Sequence, residues 1–137
     1  QLLTHPENRG KGSAVRTGLA QANGEVVIIQ DADLEYFPED YLELKKAYED
    51  NKARAVYGVR DLSNRSTLMR LGNNAMTLAT NILYGTRLHD METCYKMINR
   101  ELFQSLKLES HRFEIEAEIT AKLVRSGVHI VEAPIRY

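Results

Sequence analysis

The stretch that indicates the fold most directly reads Val26-Val27-Ile28-Ile29-Gln30-Asp31-Ala32-Asp33-Leu34-Glu35. Its first half is a continuous apolar run, which is typical of a strand buried on both faces of a parallel sheet. Its second half places three carboxylates at the carboxyl end of that strand. Open α/β folds bind their ligands at this edge of the sheet. The stretch therefore predicts an α/β fold with a binding site directly after the strand.

Outside this stretch, apolar strand patterns alternate with helical ones along the chain. Further strands are predicted over residues 53–59 and 128–132, and helices over 13–22, 38–50, 66–84, 100–106 and 114–125. Gly85 is expected to end the long helix, and Pro134 to stop the last strand. Alternating strands and helices predict an α/β sandwich with a mainly parallel sheet.

The composition describes one ordinary globular domain of 137 residues, 43% hydrophobic and 27% charged. Its 18 basic and 19 acidic residues give a net charge of -1, which excludes the basic footprint of a nucleic-acid-binding domain. The single cysteine, Cys94, cannot form an internal disulfide, which favours the cytoplasm. No stretch approaches the ~20 apolar residues of a membrane span. Because the chain opens on Gln1-Leu2-Leu3-Thr4 without an initiator methionine, we expect a partial domain.

Asp31, Asp33 and Glu35 are predicted to bind a divalent metal ion. In extended backbone, residues two apart point the same way, so the three carboxylates would repel each other unless a cation lay among them. Oxygen ligands favour Mg²⁺ or Mn²⁺, and such an ion can neutralise a diphosphate leaving group. The alternative interpretation is a solvated acidic turn. Tyr36 and Leu42 exclude an EF-hand loop, which needs Gly and Glu at those positions.

The stretch Asn8-Arg9-Gly10-Lys11-Gly12-Ser13 precedes the first predicted helix. Glycines allow close backbone approach, and a cationic helix N-terminus attracts phosphate. Gly10 and Lys11 are therefore candidates for contact with a donor phosphate. A tight loop with surface cations explains the same residues equally well.

Taken together, these motifs resemble the family 2 glycosyltransferases, and within them the dolichol-phosphate mannosyltransferase and polyprenyl-phosphate sugar transferase branch. The resemblance extends to Tyr57-Gly58-Val59-Arg60, to Leu83-Tyr84-Gly85-Thr86 and to Asp90-Met91-Glu92-Thr93-Cys94-Tyr95-Lys96. It implies a GT-A fold, in which residues 1–137 form one partial catalytic domain whose nucleotide-binding strands precede residue 1. It also implies a nucleoside-diphosphate sugar donor, a divalent metal, and inversion at the anomeric carbon by direct displacement.

The resemblance also assigns roles to individual residues. Asp31 and Asp33 would meet the metal and the donor diphosphate, with Glu35 as a third ligand. Arg60 and Arg70 match positions expected to hold an acceptor phosphate. One helical turn later, Asn74 stands where a small hydroxyl residue can occur, and its amide can still donate to phosphate.

Asp90 is the best candidate for a general base, which the reaction needs if the acceptor is a sugar hydroxyl. Its alternative role is to cap the following segment. Lys96 is expected either to contact phosphate or to pair with Glu92. Glu114 and Glu118, four residues apart on one helix, are expected to form a solvated face.

The helix over residues 66–84 carries apolar side chains on more than one face. Burial in the core is the favoured explanation. Contact with a membrane surface at its cytoplasmic side, or with a second copy of the chain, is the alternative.

Four functions stay open at this point. The leading hypothesis is sugar transfer to a polyprenyl phosphate, followed by transfer to a sugar hydroxyl in polysaccharide or cell-wall assembly. The third is a truncated GT-A-like binding module without turnover. A phosphatase with a strand-end Asp-x-Asp motif is the least favoured, because that pattern expects Thr or Val where Glu35 stands.

Overall fold

The computed structural model describes residues 1–137. Five α-helices are present, namely α1 Lys11–Gln21, α2 Tyr41–Asp50, α3 Thr67–Tyr84, α4 Arg100–Ser105 and α5 Ile115–Arg125. A 3-10 turn, Pro38–Asp40, leads directly into α2. The four strands are β1 Val26–Ile28, β2 Ala55–Arg60, β3 Lys96–Asn99 and β4 Ile130–Ile135. All five predicted helices and all three predicted strands are confirmed, with ends that differ by a few residues.

The strands form one mixed sheet in the order β1-β3-β2-β4. β2 and β4 pair in parallel, from Ala55 with Ile130 to Arg60 with Ile135. β3 is antiparallel to both of its neighbours, so β1, β2 and β4 all run in one direction. The α/β class is confirmed, but the expected mainly parallel pairing is wrong, because the sequence pattern did not reveal β3. That strand is only four residues long and begins with a lysine.

The last strand does not stop at Pro134, as the sequence analysis expected. β4 runs from Ile130 through Pro134 to Ile135. It lies at the edge of the sheet with β2 as its one neighbour. An edge strand tolerates proline, because one side of its backbone has no ladder partner to lose.

The hydrophobic core lies between the sheet and the helices packed on it. α2 contacts β2, β3 and β4, α4 contacts β1 and β3, α1 packs on α4, and α3 packs on α5. Tyr57 on β2, Phe103 on α4 and Ile119 on α5 are completely buried. These contacts fix the position of the sheet edge at which β1, β2 and β4 end.

Helix α3 buries its polar side and exposes its apolar side. Ser66 caps its start, and Gly85, with φ 66°, ends it as expected. The buried residues of α3 are Asn73, Thr77 and Thr80. Seven large apolar residues are exposed instead, namely Leu68, Met69, Leu71, Met76, Leu78, Ile82 and Leu83. The favoured explanation, burial in the core, is therefore wrong for this helix.

Neither α3 nor any other helix is both long enough and apolar enough to cross a membrane.

The direction of the strands brings four segments to one edge of the sheet. The segments after β1, β2 and β4 leave at that edge, because these three strands run the same way. The segment before β3 enters there, because β3 runs in the opposite direction. Asp31, Asp33, Glu35 and Asp90 lie in these segments, and Arg60 is the last residue of β2.

Candidate functional site

The acidic loop, residues 29–36, follows β1 and is anchored by aromatic side chains. The hydroxyl of the buried Tyr36 accepts a hydrogen bond from the backbone N–H of Cys94 at 2.9 Å. The ring of Tyr36 packs on Tyr95, with centroids 4.6 Å apart. Burial raises the pKa of the Cys94 thiol to about 12, which fits a small core residue rather than a nucleophile. The loop is thereby fixed beside the segment that leads into β3.

The three predicted metal ligands do not converge in this loop. β1 already ends at Ile28, and Leu34 adopts the left-handed conformation at φ 64°. Oδ1 of Asp33 accepts the backbone N–H of Glu35 at 3.2 Å, which closes a tight turn. No three acidic, histidine or cysteine side chains form a metal-binding group. The extended backbone that would align Asp31, Asp33 and Glu35 is replaced by a turn.

Glu35 has two partners of its own, which the two aspartates do not share. Its Oε1 lies 3.2 Å from the guanidinium of Arg65. Its Oε2 accepts a hydrogen bond from the hydroxyl of Tyr137 at 2.6 Å. With both oxygens engaged, Glu35 does not fit a metal site in this arrangement.

Asp31 and Asp33 fit a divalent cation better. Asp31 uses Oδ2 for an ion pair with Nζ of Lys11 at 2.8 Å, and Asp33 uses Oδ1 for the turn. The second oxygen of each carboxylate makes no hydrogen bond. Two such oxygens, partly open to solvent, are the donors that Mg²⁺ or Mn²⁺ prefers. Their role as ligands stays a prediction.

The glycine-lysine turn, residues 8–13, packs against another part of the chain. Gly10 precedes α1 with φ 82°. A Cβ atom at Gly10 would lie 2.5 Å from the carbonyl oxygen of His111, and one at Gly12 would lie 2.4 Å from that of Ser110. The glycines thus admit the segment 110–112 against the start of α1. Contact of Gly10 and Lys11 with a phosphate stays a prediction.

Lys11 is not the surface cation that the alternative interpretation supposed. Its ammonium lies 2.8 Å from Oδ2 of Asp31 and 2.7 Å from Oε1 of Glu116, and the side chain is only 14% exposed. Burial alone would lower the pKa of Lys11, but the charges of Glu116 and Asp31 outweigh it and raise the pKa. Lys11 is therefore a cation held between two carboxylates.

A buried ion pair behind Lys11 escaped the sequence analysis. Nζ of Lys96 lies 2.5 Å from Oε2 of Glu116, and both residues are buried. Lys96 also donates to the carbonyl oxygens of Met91 and Thr93. The expected contacts of Lys96 with phosphate or with Glu92 are therefore wrong. No local spacing revealed the pair, since Lys96 and Glu116 lie 20 residues apart on different elements.

Glu114 and Glu118 also do more than face solvent. Glu114 accepts the backbone N–H groups of His111 and Arg112. Glu118 pairs with Lys122 at 2.7 Å and accepts two further backbone N–H groups, from residues 109 and 110. Both carboxylates thus hold the segment that packs on the glycine-lysine turn.

A second group of predicted residues lines one cleft of about 280 Å³ between the loop after β2 and the start of α3. Its walls include Arg60, Arg70, Asn74 and Asp90, together with Asn73. The structure thus brings together the proposed phosphate contacts and the proposed base, which lie up to 30 residues apart in the sequence. We call this space the arginine cleft.

Arg60 and Asp90 form a two-point ion pair in the arginine cleft. Nε and Nη2 of Arg60 donate to the two oxygens of Asp90 at 2.7 and 2.8 Å. Nη2 also donates to the amide oxygen of Asn73 at 2.9 Å. Burial opposes the charge of Arg60, but hydrogen bonds to Asp90 outweigh it and raise the pKa of the guanidinium. Asp90 is almost fully buried. In this arrangement both of its oxygens are engaged by Arg60, whose counter-ion it is.

Arg70 and Asn74 are exposed on α3, one turn apart, and both line the arginine cleft. Arg70 forms no ion pair in this structure, in contrast to Arg60. An arginine without a counter-ion at the mouth of a polar cleft is suited to bind an anion.

Comparison with known proteins identifies the family. The model of glycosyl transferase family 2 matches residues 1–107. The chain belongs to glycosyl transferase family 2. The resemblance stated from the sequence is thereby confirmed, and so is the glycosyltransferase class.

Two curated relatives match nearly the whole chain. A dolichyl-phosphate beta-glucosyltransferase of Trichomonas vaginalis is 25% identical over 100% of this chain and 44% of its own length. A UDP-N-acetylglucosamine--dolichyl-phosphate N-acetylglucosaminyltransferase of Methanococcus voltae is 23% identical over 98% of this chain and 57% of its own length. The family 2 chain described here therefore spans about half the length of these relatives.

A solved structure confirms the fold. Glucosyl-3-phosphoglycerate synthase from Mycobacterium tuberculosis, in complex with Mn²⁺, uridine-diphosphate-glucose and phosphoglyceric acid, superposes with a TM-score of 0.72 at 19% identity. The match covers 98% of this chain and 47% of that one. At this identity the likeness shows the shared GT-A glycosyltransferase fold.

Proposed function

We propose that the protein containing this chain transfers a sugar from a nucleoside-diphosphate sugar to a polyprenyl phosphate. The family supplies the reaction class, and two of its relatives are named for transfer to dolichyl phosphate. The observation that carries the proposal is the position of the arginine cleft beside the exposed apolar side of α3. That position suits a molecule with a phosphate head and a hydrocarbon tail.

On the donor side, the proposal uses the acidic loop. Asp31 and Asp33 would hold Mg²⁺ or Mn²⁺ through their free oxygens, and the ion would neutralise the diphosphate as it leaves. Lys11 lies 2.8 Å from Asp31 and adds a further positive charge beside the same place. Gly10 and Lys11 at the start of α1 would then face a donor phosphate.

On the acceptor side, the arginine cleft would receive the lipid phosphate. Arg70, which forms no ion pair, would bind it directly, and the amide of Asn74 would donate a second hydrogen bond. Arg60 is oriented by Asp90 and Asn73, so its guanidinium is already fixed at the cleft wall. Arg60 and Arg70 would together bring the anionic acceptor towards the anionic donor. Without these two cations, the acceptor and the donor would repel each other.

The hydrocarbon would follow α3 from the cleft. Leu71, Ala75, Leu78 and Ile82 are spaced by three or four residues and so share one face of the helix. Leu71, Leu78 and Ile82 are 61%, 59% and 74% exposed, and Asn74 adjoins this stripe. We call these four residues the apolar stripe. Such a surface also suits contact with a membrane that carries the acceptor.

The chemistry agrees with a phosphate acceptor. A phosphate oxygen attacks the anomeric carbon, the bond from that carbon to the donor oxygen breaks, and the nucleoside diphosphate leaves with the electron pair. The attacking oxygen is already ionised near neutral pH, because the second pKa of a phosphate is about 6. No general base is needed, which agrees with an Asp90 whose two oxygens are held by Arg60. Transfer to a sugar hydroxyl would need that carboxylate free.

The test is a transfer assay on the full-length protein with radiolabelled UDP-glucose and UDP-N-acetylglucosamine. The acceptors are a polyprenyl phosphate, the matching polyprenol and an oligosaccharide. We expect a lipid-linked sugar with the phosphate alone and only when Mg²⁺ or Mn²⁺ is present. Labelled oligosaccharide would favour the hydroxyl acceptor. Nucleotide binding without any product would favour a non-catalytic module.

A further inference from the structure

Four side chains form a continuous row of alternating charges from the core to the acidic loop. Lys96 lies 2.5 Å from Oε2 of Glu116, and Oε1 of Glu116 lies 2.7 Å from Lys11. Lys11 in turn lies 2.8 Å from Oδ2 of Asp31. Side-chain exposure rises along the row, from 0% at Lys96 and 4% at Glu116 to 14% at Lys11 and 32% at Asp31. The row joins a rigid interior to the loop that contains the donor-side carboxylates.

The inner half of the row is fixed in place. Lys96 uses its three ammonium protons for Glu116 and for the carbonyl oxygens of Met91 and Thr93. Lys96 begins β3 and Glu116 lies in the first turn of α5, so both stand on regular elements. A buried carboxylate needs its charge paired. Glu116 has an ammonium beside each oxygen, and the outer one, Lys11, forms an ion pair with Oε1 at 2.7 Å.

We infer that Glu116 is a positioning residue for the donor site, acting through Lys11. Glu116 holds the ammonium of Lys11 between two carboxylates, so that Lys11 is shared rather than committed to Asp31. Asp31 therefore keeps a larger part of its negative charge for a divalent cation. This inference rests on the proposed function, because it gives Asp31 the role of a metal ligand.

A merely structural role for Glu116 makes a different prediction. If the pair of Lys96 and Glu116 only joins β3 to α5, its removal lowers stability and leaves cation binding at the acidic loop unchanged. Single substitution of Glu116 is a poor test, because it leaves a buried ammonium without its counter-ion. The paired change Lys96→Met/Glu116→Gln removes both charges and keeps the net charge of the core.

The experiment measures the Kd for Mn²⁺ by electron paramagnetic resonance on the full-length protein. The paired variant should bind Mn²⁺ about fivefold more weakly than the wild type, because Lys11 then has Asp31 as its sole carboxylate. Lys11→Met should bind about fivefold more tightly, since Asp31 loses its competing cation. In the Lys11→Met background, the paired change should alter the Kd by less than about twofold.

The matched control is Lys45→Met/Glu49→Gln. It removes another lysine-glutamate pair, 3.6 Å apart on α2, that does not contact Lys11. This control should leave the Kd for Mn²⁺ unchanged. The inference is overturned if the paired variant binds as the wild type does, or if its effect persists in full without Lys11. Lys11→Met keeps the buried pair, so it can be measured even if the paired variant does not fold, and binding of Mn²⁺ no tighter than in the wild type would overturn the inference.

A second measurement separates this inference from the metal assignment. Acylation of lysines, read by mass spectrometry without metal, should label Lys11 faster in the paired variant than in the wild type. Lys45 and Lys46, both exposed on α2, should react equally in the two proteins. If the chain binds no Mn²⁺ at all, the metal part of the proposed function fails. Equal labelling of Lys11 in both proteins would then refute the role of Glu116 independently.

Discussion

Nε and Nη2 of Arg60 donate hydrogen bonds to the two oxygens of Asp90 at 2.7 and 2.8 Å, although the two residues lie 30 positions apart in the sequence. The backbone N–H of Arg60 donates to the same carboxylate at 3.2 Å. The pair closes the inner wall of the arginine cleft and gives the end of β2 a fixed cation. It also makes Asp90 the counter-ion of Arg60.

The first prediction concerns this pair. Asp90→Asn leaves a buried guanidinium without its counter-ion, so the free energy of unfolding should fall by about 3 kcal/mol in urea denaturation. Asp50→Asn, at an exposed position without an ion pair, should change it by less than about 0.5 kcal/mol. A variant as stable as the wild type but more than about a thousandfold slower would instead identify Asp90 as a general base.

The second prediction concerns the exposed arginine of the cleft. Arg70→Ala should raise the KM for polyprenyl phosphate at least about tenfold and leave the KM for the donor unchanged, because a charge-assisted contact to phosphate is lost. Arg54→Ala is the matched control, since this exposed arginine precedes β2 at the opposite end from Arg60. Equal effects of the two substitutions would show that general surface charge, and not the cleft, attracts the acceptor.

The sequence predicted the regular elements well because their apolar periodicity is local. The sequence could not predict how the strands pair, because β3 is only four residues long and begins with a buried lysine. Nor could it predict that the apolar side of α3 faces outward, since the pattern of Leu71, Leu78 and Ile82 is the same whichever way the helix turns. That orientation is set by what Asn73 and Thr77 contact, which is a property of the folded chain.

The site was predictable as a set of residues but not as a geometry. A local motif identified Asp31, and the resemblance to the family identified Arg60, Arg70 and Asp90. The structure places these residues near one edge of the sheet. Their partners come from far along the chain, as with Glu35 and Tyr137, which are 102 residues apart. Such contacts leave no local spacing to read. Glu116 escaped notice for the same reason, because its two lysines lie on other elements.

A third prediction tests the packing at the start of α1. Gly12→Ala should lower the free energy of unfolding by about 1–3 kcal/mol, because its Cβ would lie 2.4 Å from the carbonyl oxygen of Ser110. Gly18→Ala lies in the same helix with nothing within 4 Å of its Cβ, and should raise that free energy by about 0.5–1 kcal/mol. Urea denaturation of both variants measures the difference. If Gly12→Ala is as stable as the wild type, residues 110–112 do not pack against the start of α1.

A fourth prediction concerns the pH dependence of stability. Burial alone would raise the pKa of Glu118, but hydrogen bonds from Lys122 and Ser110 outweigh it and lower the pKa from 4.5 to about 2. A lowered carboxyl pKa stabilises the fold above pH 4.5, and this contribution is lost as the pH falls towards 2. The Tm of the wild type should therefore exceed that of Glu118→Gln at pH 7. The difference in Tm between the two proteins should narrow from about pH 4.5 downward and nearly vanish near pH 2. A difference that widens over this range would contradict the lowered pKa of Glu118.

The most direct test of the account is a titration of the ¹⁵N-labelled chain with a short-chain prenyl phosphate, followed by NMR at the side chains of Arg60, Arg70 and Asn74. We predict saturable shifts at these three groups and at the backbone of Leu78, which the matching prenol does not produce. Saturable binding that leaves the arginine cleft unshifted, or equal shifts with the prenol, would contradict the claim that this cleft receives a lipid phosphate.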